Sequence, residues 1–241
     1  MVKCNTVSTS AIGGDLTSSK VMELIARDAT VVEVTVGAMP GQDHGATARD
    51  HGLSVIAHHA FPGSDGVIVS PDRHHPERVL DAVLSIGATF YSLHPAKLDS
   101  MKDLLLWSDL WIDKASQRGV EISFETMNPV FKQGTVCRPH ALDNGMDVLL
   151  FTEHIAETPA GILTDSAHIL IGLRLGLWEQ WQIEKLSATQ KVRAMHVSAP
   201  TALKDSHKPQ RSDPDVEALC ASICGSSTVF VIDEGRRTRN G

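Results

Sequence analysis

The chain has 241 residues, 42% of them hydrophobic and 21% charged, which is typical of a folded globular protein and excludes a disordered one. The formal net charge of -7 disfavours binding to a nucleic-acid backbone over a broad surface, although a local basic cleft stays compatible with it. No run approaches the roughly 20 apolar residues that span a bilayer, so no membrane partner is expected.

The first residues of the sequence and its cysteines indicate the cellular compartment in which the protein is expected. Met1–Ser8 lacks the apolar segment of a signal peptide. The four cysteines (Cys4, Cys137, Cys220 and Cys224) form no Cys-x-x-Cys pair, but Cys220 and Cys224 lie four apart in a predicted helix and could share a face. We interpret them as buried thiols of a cytoplasmic protein, with a disulfide or a metal site as the alternatives.

Short β-branched runs alternate with amphipathic stretches along the chain. Two of those stretches, Arg78–Ile86 and Met101–Gln117, predict helices, and Gly52, Gly87 and Gly119 suit the position just after a helix. Eight strands without a hairpin signal predict parallel βαβ units. The predicted strands are Lys3–Ser8 (the weakest), Val31–Val36, Leu53–Phe61, Thr89–His94, Val120–Met127, Gly161–Asp165, Val192–Val197 and Thr228–Asp233.

Both a closed barrel and an open doubly wound sheet satisfy this alternation. No Gly-x-Gly-x-x-Gly or Walker sequence follows an early strand, so the usual marks of nucleotide-binding open sheets are missing from the sequence. A length near 250 residues is typical of one barrel, and no composition shift marks a linker. We therefore predict an α/β protein whose residues 1–241 form a single (β/α)8 TIM barrel.

Histidine, aspartate or glutamate stands near the end of nearly every predicted strand, where barrel active sites are built. Such groups buried together need a compensating charge, and a divalent metal ion supplies it. A mixed oxygen and nitrogen set suits Mn, Fe, Co or Zn better than Mg or Ca. Any one of these residues alone would suit a cap or rim position, but the series predicts a metal site. From strand three onward the residues are His58, His59, His94, Glu125, Asp165, His168, His196, Asp205, His207, Asp233 and Glu234.

These motifs resemble the xylose isomerase-like barrel superfamily, which includes sugar isomerases and epimerases, inosose dehydratases and endonuclease IV. The resemblance runs roughly from Val31 to Gly235, and its most specific motif is Asp165-Ser-Ala-His168. It implies a shared metal set on the last four strands. That set is Glu125, Asp165, His196 and Glu234.

The resemblance also implies an extended ligand set like the three-metal cluster of endonuclease IV, and hence one to three divalent ions (Mn, Zn, Fe or Co) per chain. Two motifs depart from the family pattern: Ser198-Ala199-Pro200 replaces the usual Asn-Asp, and His-Pro-Ala replaces His-Pro-Gly. No aromatic and basic wedge for opening a DNA duplex follows strand two. The five residues of the extended set are His59, His94, His168, Asp205 and His207.

The two-residue alternation of strands assigns directions to several other side chains. With His59 directed inward, His58 is expected to face the helices, and Asp233 is expected to face away from Glu234. Glu33 is expected to face inward, as a structural polar plug or a substrate contact. His168 is a candidate for substrate binding as well as for metal. Asp205 and His207 are expected in a loop, where a solvated turn is the alternative.

Three functions remain open at this point. The favoured one is a sugar or polyol isomerase, epimerase or dehydratase, in which a metal stabilises an enediolate and Glu125 or Glu234 is the base. The alternative is phosphodiester hydrolysis by several metal ions, which would be favoured if His94 and His207 bind metal. The third possibility is a non-catalytic barrel that binds a ligand. The acidic charge and short loops suit a small sugar-like substrate rather than nucleic acid. The sequence is compatible with either a monomer or a homo-oligomer.

Overall fold

The computed structural model describes residues 2–12, 28–36, 44–60, 76–95, 100–132, 134–137, 142–225 and 227–235. Eight parallel strands close into a barrel in the order in which they follow one another along the chain, and the last strand pairs back to the first. These strands are β1 (Thr6–Ser8), β2 (Val31–Val36), β3 (Ser54–Ala60), β4 (Phe90–Leu93), β5 (Glu121–Glu125), β8 (Gly161–Asp165), β9 (Val192–Val197) and β12 (Phe230–Asp233).

Helices follow the barrel strands and cover their outer face. Within the described ranges they are α1 (His44–Asp50), α2 (Pro76–Ser85), α3 (Met101–Arg118), α4 (Gly145–His154), α5 (Ser166–Arg174), α6 (Gln180–Ala188) and α7 (Asp215–Ile223), with 3-10 turns at Thr9–Ile12 and Gln210–Ser212. None of these helices is long and apolar enough to cross a membrane.

The predicted (β/α)8 barrel is confirmed, and each predicted strand overlaps a barrel strand. Two antiparallel hairpins outside the barrel were not predicted from the sequence. One pairs β6 (Val130–Lys132) with β7 (Thr135–Cys137), and the other pairs β10 (Ala199–Thr201) with β11 (Lys204–Lys208). The segment predicted as a loop around Asp205 and His207 is therefore a strand, which fixes both side chains.

The hydrophobic core has two parts. Most buried apolar side chains fill the layer between barrel and helices, where Trp111 of α3 packs near Tyr91 and Trp107. A second, smaller cluster lies inside the barrel and supports the polar side chains at the strand ends. It consists of Ile56, Phe90, Leu163, Ala194 and Ile232.

The end of α3 depends on the conformational freedom of a glycine. Gly119 has φ 66°, and its N–H donates to the carbonyls of Ala115 and Ser116. A methyl group added there would meet no atom within 4 Å, so Gly119→Ala is expected to cost only the left-handed backbone energy, roughly 1–2 kcal/mol. Urea unfolding of the Gly119→Ala variant measures this cost.

The matched control is Gly225→Ala, where the added methyl group also has open space and φ lies outside the left-handed range. We expect little change in the free energy of unfolding for the control. Equal costs at Gly119 and Gly225 would show that backbone conformation is not the cause.

Candidate metal centre

Four side chains from the last four barrel strands converge on one point at the carboxyl end of the barrel. Nδ1 of His196 lies 3.3 Å from a carboxylate oxygen of Glu234 and 3.8 Å from oxygens of both Glu125 and Asp165. All four residues are buried. Asp165 and His196 are also direct register partners on β8 and β9, which places their side chains on the same face. The structure thus brings together the four residues predicted as the central metal set.

The two oxygens of Asp165 have separate roles because Asp165 ends β8 and also caps α5. Its Oδ1 accepts the backbone N–H of His168 at 3.0 Å, as expected of an N-cap aspartate. The backbone N–H of Asp165 in turn donates to Thr126 Oγ1 at 3.1 Å. The first bond fixes the carboxylate, the second fixes the backbone of Asp165, and Oδ2 is left directed at His196.

The ring of His168 is oriented by a backbone carbonyl. Its Nδ1 lies 2.6 Å from the carbonyl oxygen of Thr126, which can only accept, so Nδ1 carries a proton. Nε2 then faces Asp205 Oδ2 at 3.3 Å. His168 therefore presents Nε2 toward the mouth of the site, beside the central group.

Two histidines lie against the other oxygen of Glu125. Nε2 of His94 is 2.9 Å and Nε2 of His58 is 3.5 Å from Glu125 Oε2. The prediction that His58 faces the helices is wrong: its ring lies inside the barrel, with Nδ1 2.9 Å from Ser92 Oγ and its centroid 4.8 Å from that of His196.

The backbone pairing of β3 explains the error about His58. Thr35 pairs with His58, but the next residue, Val36, pairs with Ala60, so His59 is an extra residue in β3. Such an irregularity breaks the two-residue alternation from which the direction of His58 was predicted. The side chain of His59, which was the predicted ligand, lies outside the described residues, as does Phe61.

The β10–β11 hairpin brings two further side chains over the site. Asp205 and His207 of β11 lie on the same side of the hairpin because their side chains contact each other, while Ser206 between them contacts Thr201 across the hairpin. Oδ2 of Asp205 lies 3.3 Å from Nε2 of both His168 and His207. Nδ1 of His207 reaches a Glu234 oxygen at 3.3 Å. His207 has φ 45°, an uncommon conformation for a side chain of this size.

Glu33 faces the barrel interior, as predicted, but it lies behind the central group. Its Oε1 accepts from Nε2 of His196 at 3.0 Å, and the residue has no exposed surface. Asp233 was expected to face away from Glu234, and its carboxylate accepts the N–H of Gly235 while its charge acts on Cys4. Sequence reasoning did not single out Ser92 and Thr126, which orient site histidines.

The charges of the site balance each other through histidine protonation. Burial lowers the pKa of His168, but the negative charge of Asp165 outweighs it and raises that pKa to about 10. Burial also disfavours a charged His196, yet Glu234 and Glu33 hold its pKa well above the usual value. Burial raises the pKa of Asp165 to about 6. In the absence of a cation, these carboxylates therefore depend on protonated imidazoles.

Glu125 and Glu234 are the carboxylates at the centre with lowered pKa values. Burial acts to raise the pKa of Glu125, but the neighbouring His94 lowers it well below its usual value. For Glu234, the effect of burial on the pKa is likewise outweighed, first by the charge of His196 and then by the neighbouring His207, whose Nδ1 lies 3.3 Å away. Both glutamates are thus ionised at neutral pH and are able to bind a cation or accept a proton.

The residues present fit a divalent metal ion. Oδ2 of Asp165 and Nδ1 of His196 are buried and make no hydrogen bond to any residue that the structure describes, although they are directed at the same point. Such atoms are costly unless a partner compensates them. Oxygen and nitrogen ligands in this mixture suit Mn, Fe, Co or Zn. Ligand atoms within 4.8 Å of one another occur in the groups Asp165–His196–Glu234, Glu125–Asp165–His168, His58–His94–Glu125 and Glu33–His58–His196.

Similarity to solved structures supports the barrel assignment. A D-tagatose 3-epimerase-like protein is 14% identical, with a TM-score of 0.68 over 97% of this chain and 91% of that one. A 3-keto-D-glucoside 4-epimerase from E. coli is 16% identical, with a TM-score of 0.69 over 99% and 94%. D-allulose 3-epimerase from Methylomonas sp., in complex with D-allulose, is 13% identical, with a TM-score of 0.61 over 94% and 81%.

These identities establish the fold and not the activity. No protein-family model matches the sequence. No curated protein matches it either.

Proposed function

Since the chain has the fold of the xylose isomerase-like TIM barrels, we propose that it is a divalent-metal-dependent isomerase or epimerase of a sugar or polyol. One observation carries the proposal. The ionised carboxylates of Glu125 and Glu234 both lie beside Nδ1 of His196, at 3.8 and 3.3 Å. Two ionised carboxylates beside one metal position offer a base and a second acid–base group for proton transfer at carbon.

In this proposal Asp165, His196, Glu125 and Glu234 hold the ion. A bound divalent cation polarises a carbonyl and its neighbouring hydroxyl, which makes the adjacent C–H bond more acidic. Glu125 or Glu234 accepts the proton from carbon, and the same or the opposite glutamate returns it. Return to the other face of that carbon gives an epimer, and return to the neighbouring carbon gives an isomer.

The mouth of the site suits a small polar substrate. The side chains of His94 and His207 are 31% and 27% exposed, so both can reach a bound molecule while they contact the inner carboxylates. His168, whose ring is oriented by Thr126 and whose side chain is 6% exposed, adds a third imidazole for a substrate hydroxyl group. Three of the similar structures are epimerases whose names specify keto sugars, which supports a sugar-like substrate.

A second candidate function is phosphoester hydrolysis by several metal ions. The observation that favours it is the position of His94 and His58 on the far oxygen of Glu125, which would let this carboxylate bridge two ions. The contacts of His168 and His207 with Asp205 form another group of possible ligands. Closely spaced ions would stabilise the attacking and the leaving oxygen of a phosphate ester.

Metal content separates the two functions. We expect about one Mn, Fe, Co or Zn per chain, by elemental analysis of protein purified without chelator or a metal-binding tag, because the four central residues form one complete site. Glu125→Gln is expected to lose the metal, and His94→Ala to keep it. The same preparations are tested for hydrogen exchange at carbon of ketoses and 3-ketoglycosides in D2O, and for hydrolysis of bis-p-nitrophenyl phosphate.

Two or three metal ions per chain, reduced in His94→Ala or His207→Ala, together with phosphodiesterase activity, would contradict the isomerase proposal and support the second function. Protein that binds no divalent metal under any loading condition would exclude both.

A further inference from the structure

Glu33 and His196 form a buried pair behind the metal position. Oε1 of Glu33 lies 3.0 Å from Nε2 of His196, the ring nitrogen opposite the one that faces Asp165, Glu125 and Glu234. Glu33 is fully buried and His196 is 1% exposed. A substrate at the mouth of the barrel therefore reaches neither Glu33 nor Nε2 of His196.

The carboxylate of Glu33 is held from a second side by Ser8. Ser8 on β1 is the register partner of Glu33 on β2, and its buried hydroxyl favours the ionised carboxylate against the burial that raises the pKa of Glu33. An ionised carboxylate only accepts, so the hydroxyl donates. Contacts from β1 and β9 thus fix the direction of a side chain that β2 alone would leave able to rotate.

An imidazole that binds a metal through one nitrogen carries its proton on the other. The proton on Nε2 of His196 has an acceptor in Glu33, whereas Nδ1 makes no hydrogen bond to the described part of the chain. In many metal sites a carboxylate behind the histidine selects the tautomer, orients the ring and increases its basicity. Ser8, Glu33 and His196 have the residue types and the order of contacts that this arrangement requires.

We propose that Glu33 is a positioning residue that accepts the Nε2 proton of His196 and directs Nδ1 of that ring at the metal. The inference rests on the proposed metal centre and adds a residue from β2 that contacts neither metal nor substrate. Ser8 supports it by holding the Glu33 carboxylate.

The test is a calorimetric Co²⁺ titration of metal-stripped protein. Glu33→Leu is expected to lower Co²⁺ affinity by about 10–100-fold, with the number of sites unchanged. Glu33→Gln is expected to lose less, because its amide oxygen still accepts the Nε2 proton. Glu121→Gln is the matched control: it removes a carboxylate from the opposite end of a barrel strand, where Glu121 pairs with Arg193, and should bind Co²⁺ like the wild type.

The possible results are distinct. If the wild type binds no Co²⁺, the proposed function itself fails. If the wild type binds and Glu33→Leu binds equally tightly, the positioning role is overturned while the metal centre stands. A reduced number of sites in Glu33→Leu would instead make Glu33 a ligand, which also overturns the inference.

A second measurement covers the case in which Glu33→Leu does not fold. Long-range ¹H–¹⁵N NMR of the zinc-loaded wild type reports which nitrogen of His196 carries the proton. A proton on Nε2, retained in Glu33→Gln, supports the inference. A proton on Nδ1 with the metal on Nε2 contradicts it.

Discussion

If the proposed isomerase activity holds, replacing Glu234 with glutamine is expected to lower the turnover of the best ketose substrate by roughly 10²–10⁴-fold, the usual contribution of a general base. The amide keeps the size of the side chain but accepts a proton from carbon far more weakly. Because Glu234 is also a proposed ligand, the rate is measured at saturating metal and the affinity for metal is measured separately. If the turnover of the variant stays low at saturating metal, Glu234 acts as a base. If the turnover recovers fully, Glu234 only binds the metal.

The control for this experiment is the neighbouring carboxylate. Asp233→Asn keeps an oxygen that can accept the N–H of Gly235, and the Asp233 side chain lies on the Cys4 side of the strand. Turnover should stay near the wild-type value. An equal loss in Asp233→Asn and Glu234→Gln would indicate disruption of the β12 end rather than loss of a base.

Trp111→Ala is expected to lower the free energy of unfolding by about 3–5 kcal/mol. Trp111 has no exposed surface, and its ring lies 6.0 Å from that of Tyr91 and 5.8 Å from that of Trp107 by centroid. Truncation removes this buried area and leaves a cavity between α3 and the barrel. Chemical denaturation monitored by circular dichroism measures the change.

Trp181→Ala is the corresponding surface substitution, because Trp181 on α6 is 46% exposed. We expect a change of about 0.5 kcal/mol or less for it. If both tryptophan variants lost similar stability, burial would not be the reason for the effect at Trp111.

The barrel could be predicted because its signals are local. Glycines with positive φ follow helices at Gly52, Gly87 and Gly119, where the sequence places them. The strands Val31–Val36, Gly161–Asp165 and Val192–Val197 begin and end at the predicted residues. Continuous β-branched runs are typical of parallel strands covered on both faces, so the strand positions were readable without tertiary information.

The same continuous runs hide which way a side chain points. In β3, Val55, Ile56 and Ala57 are all apolar, because one face packs against helices and the other against the barrel interior. The polarity of these residues therefore does not show which of them face the barrel interior. In addition, the extra residue His59 shifts the backbone pairing at the end of the strand. That is why His58 was assigned to the wrong side.

By itself, the sequence determined the class of the fold, the positions of its strands along the chain and the acidic and histidine residues at the strand ends. The periodicity of helices and strands, and the presence of residues such as Asp165 and Glu234 at strand ends, can be read from residues that are neighbours along the chain. Only the tertiary structure decided that His58 joins Glu125, that the β10–β11 hairpin brings Asp205 to His168, and that Glu33 lies behind His196. These contacts join residues far apart in sequence, and closure of the barrel, rather than any local pattern, sets their distances.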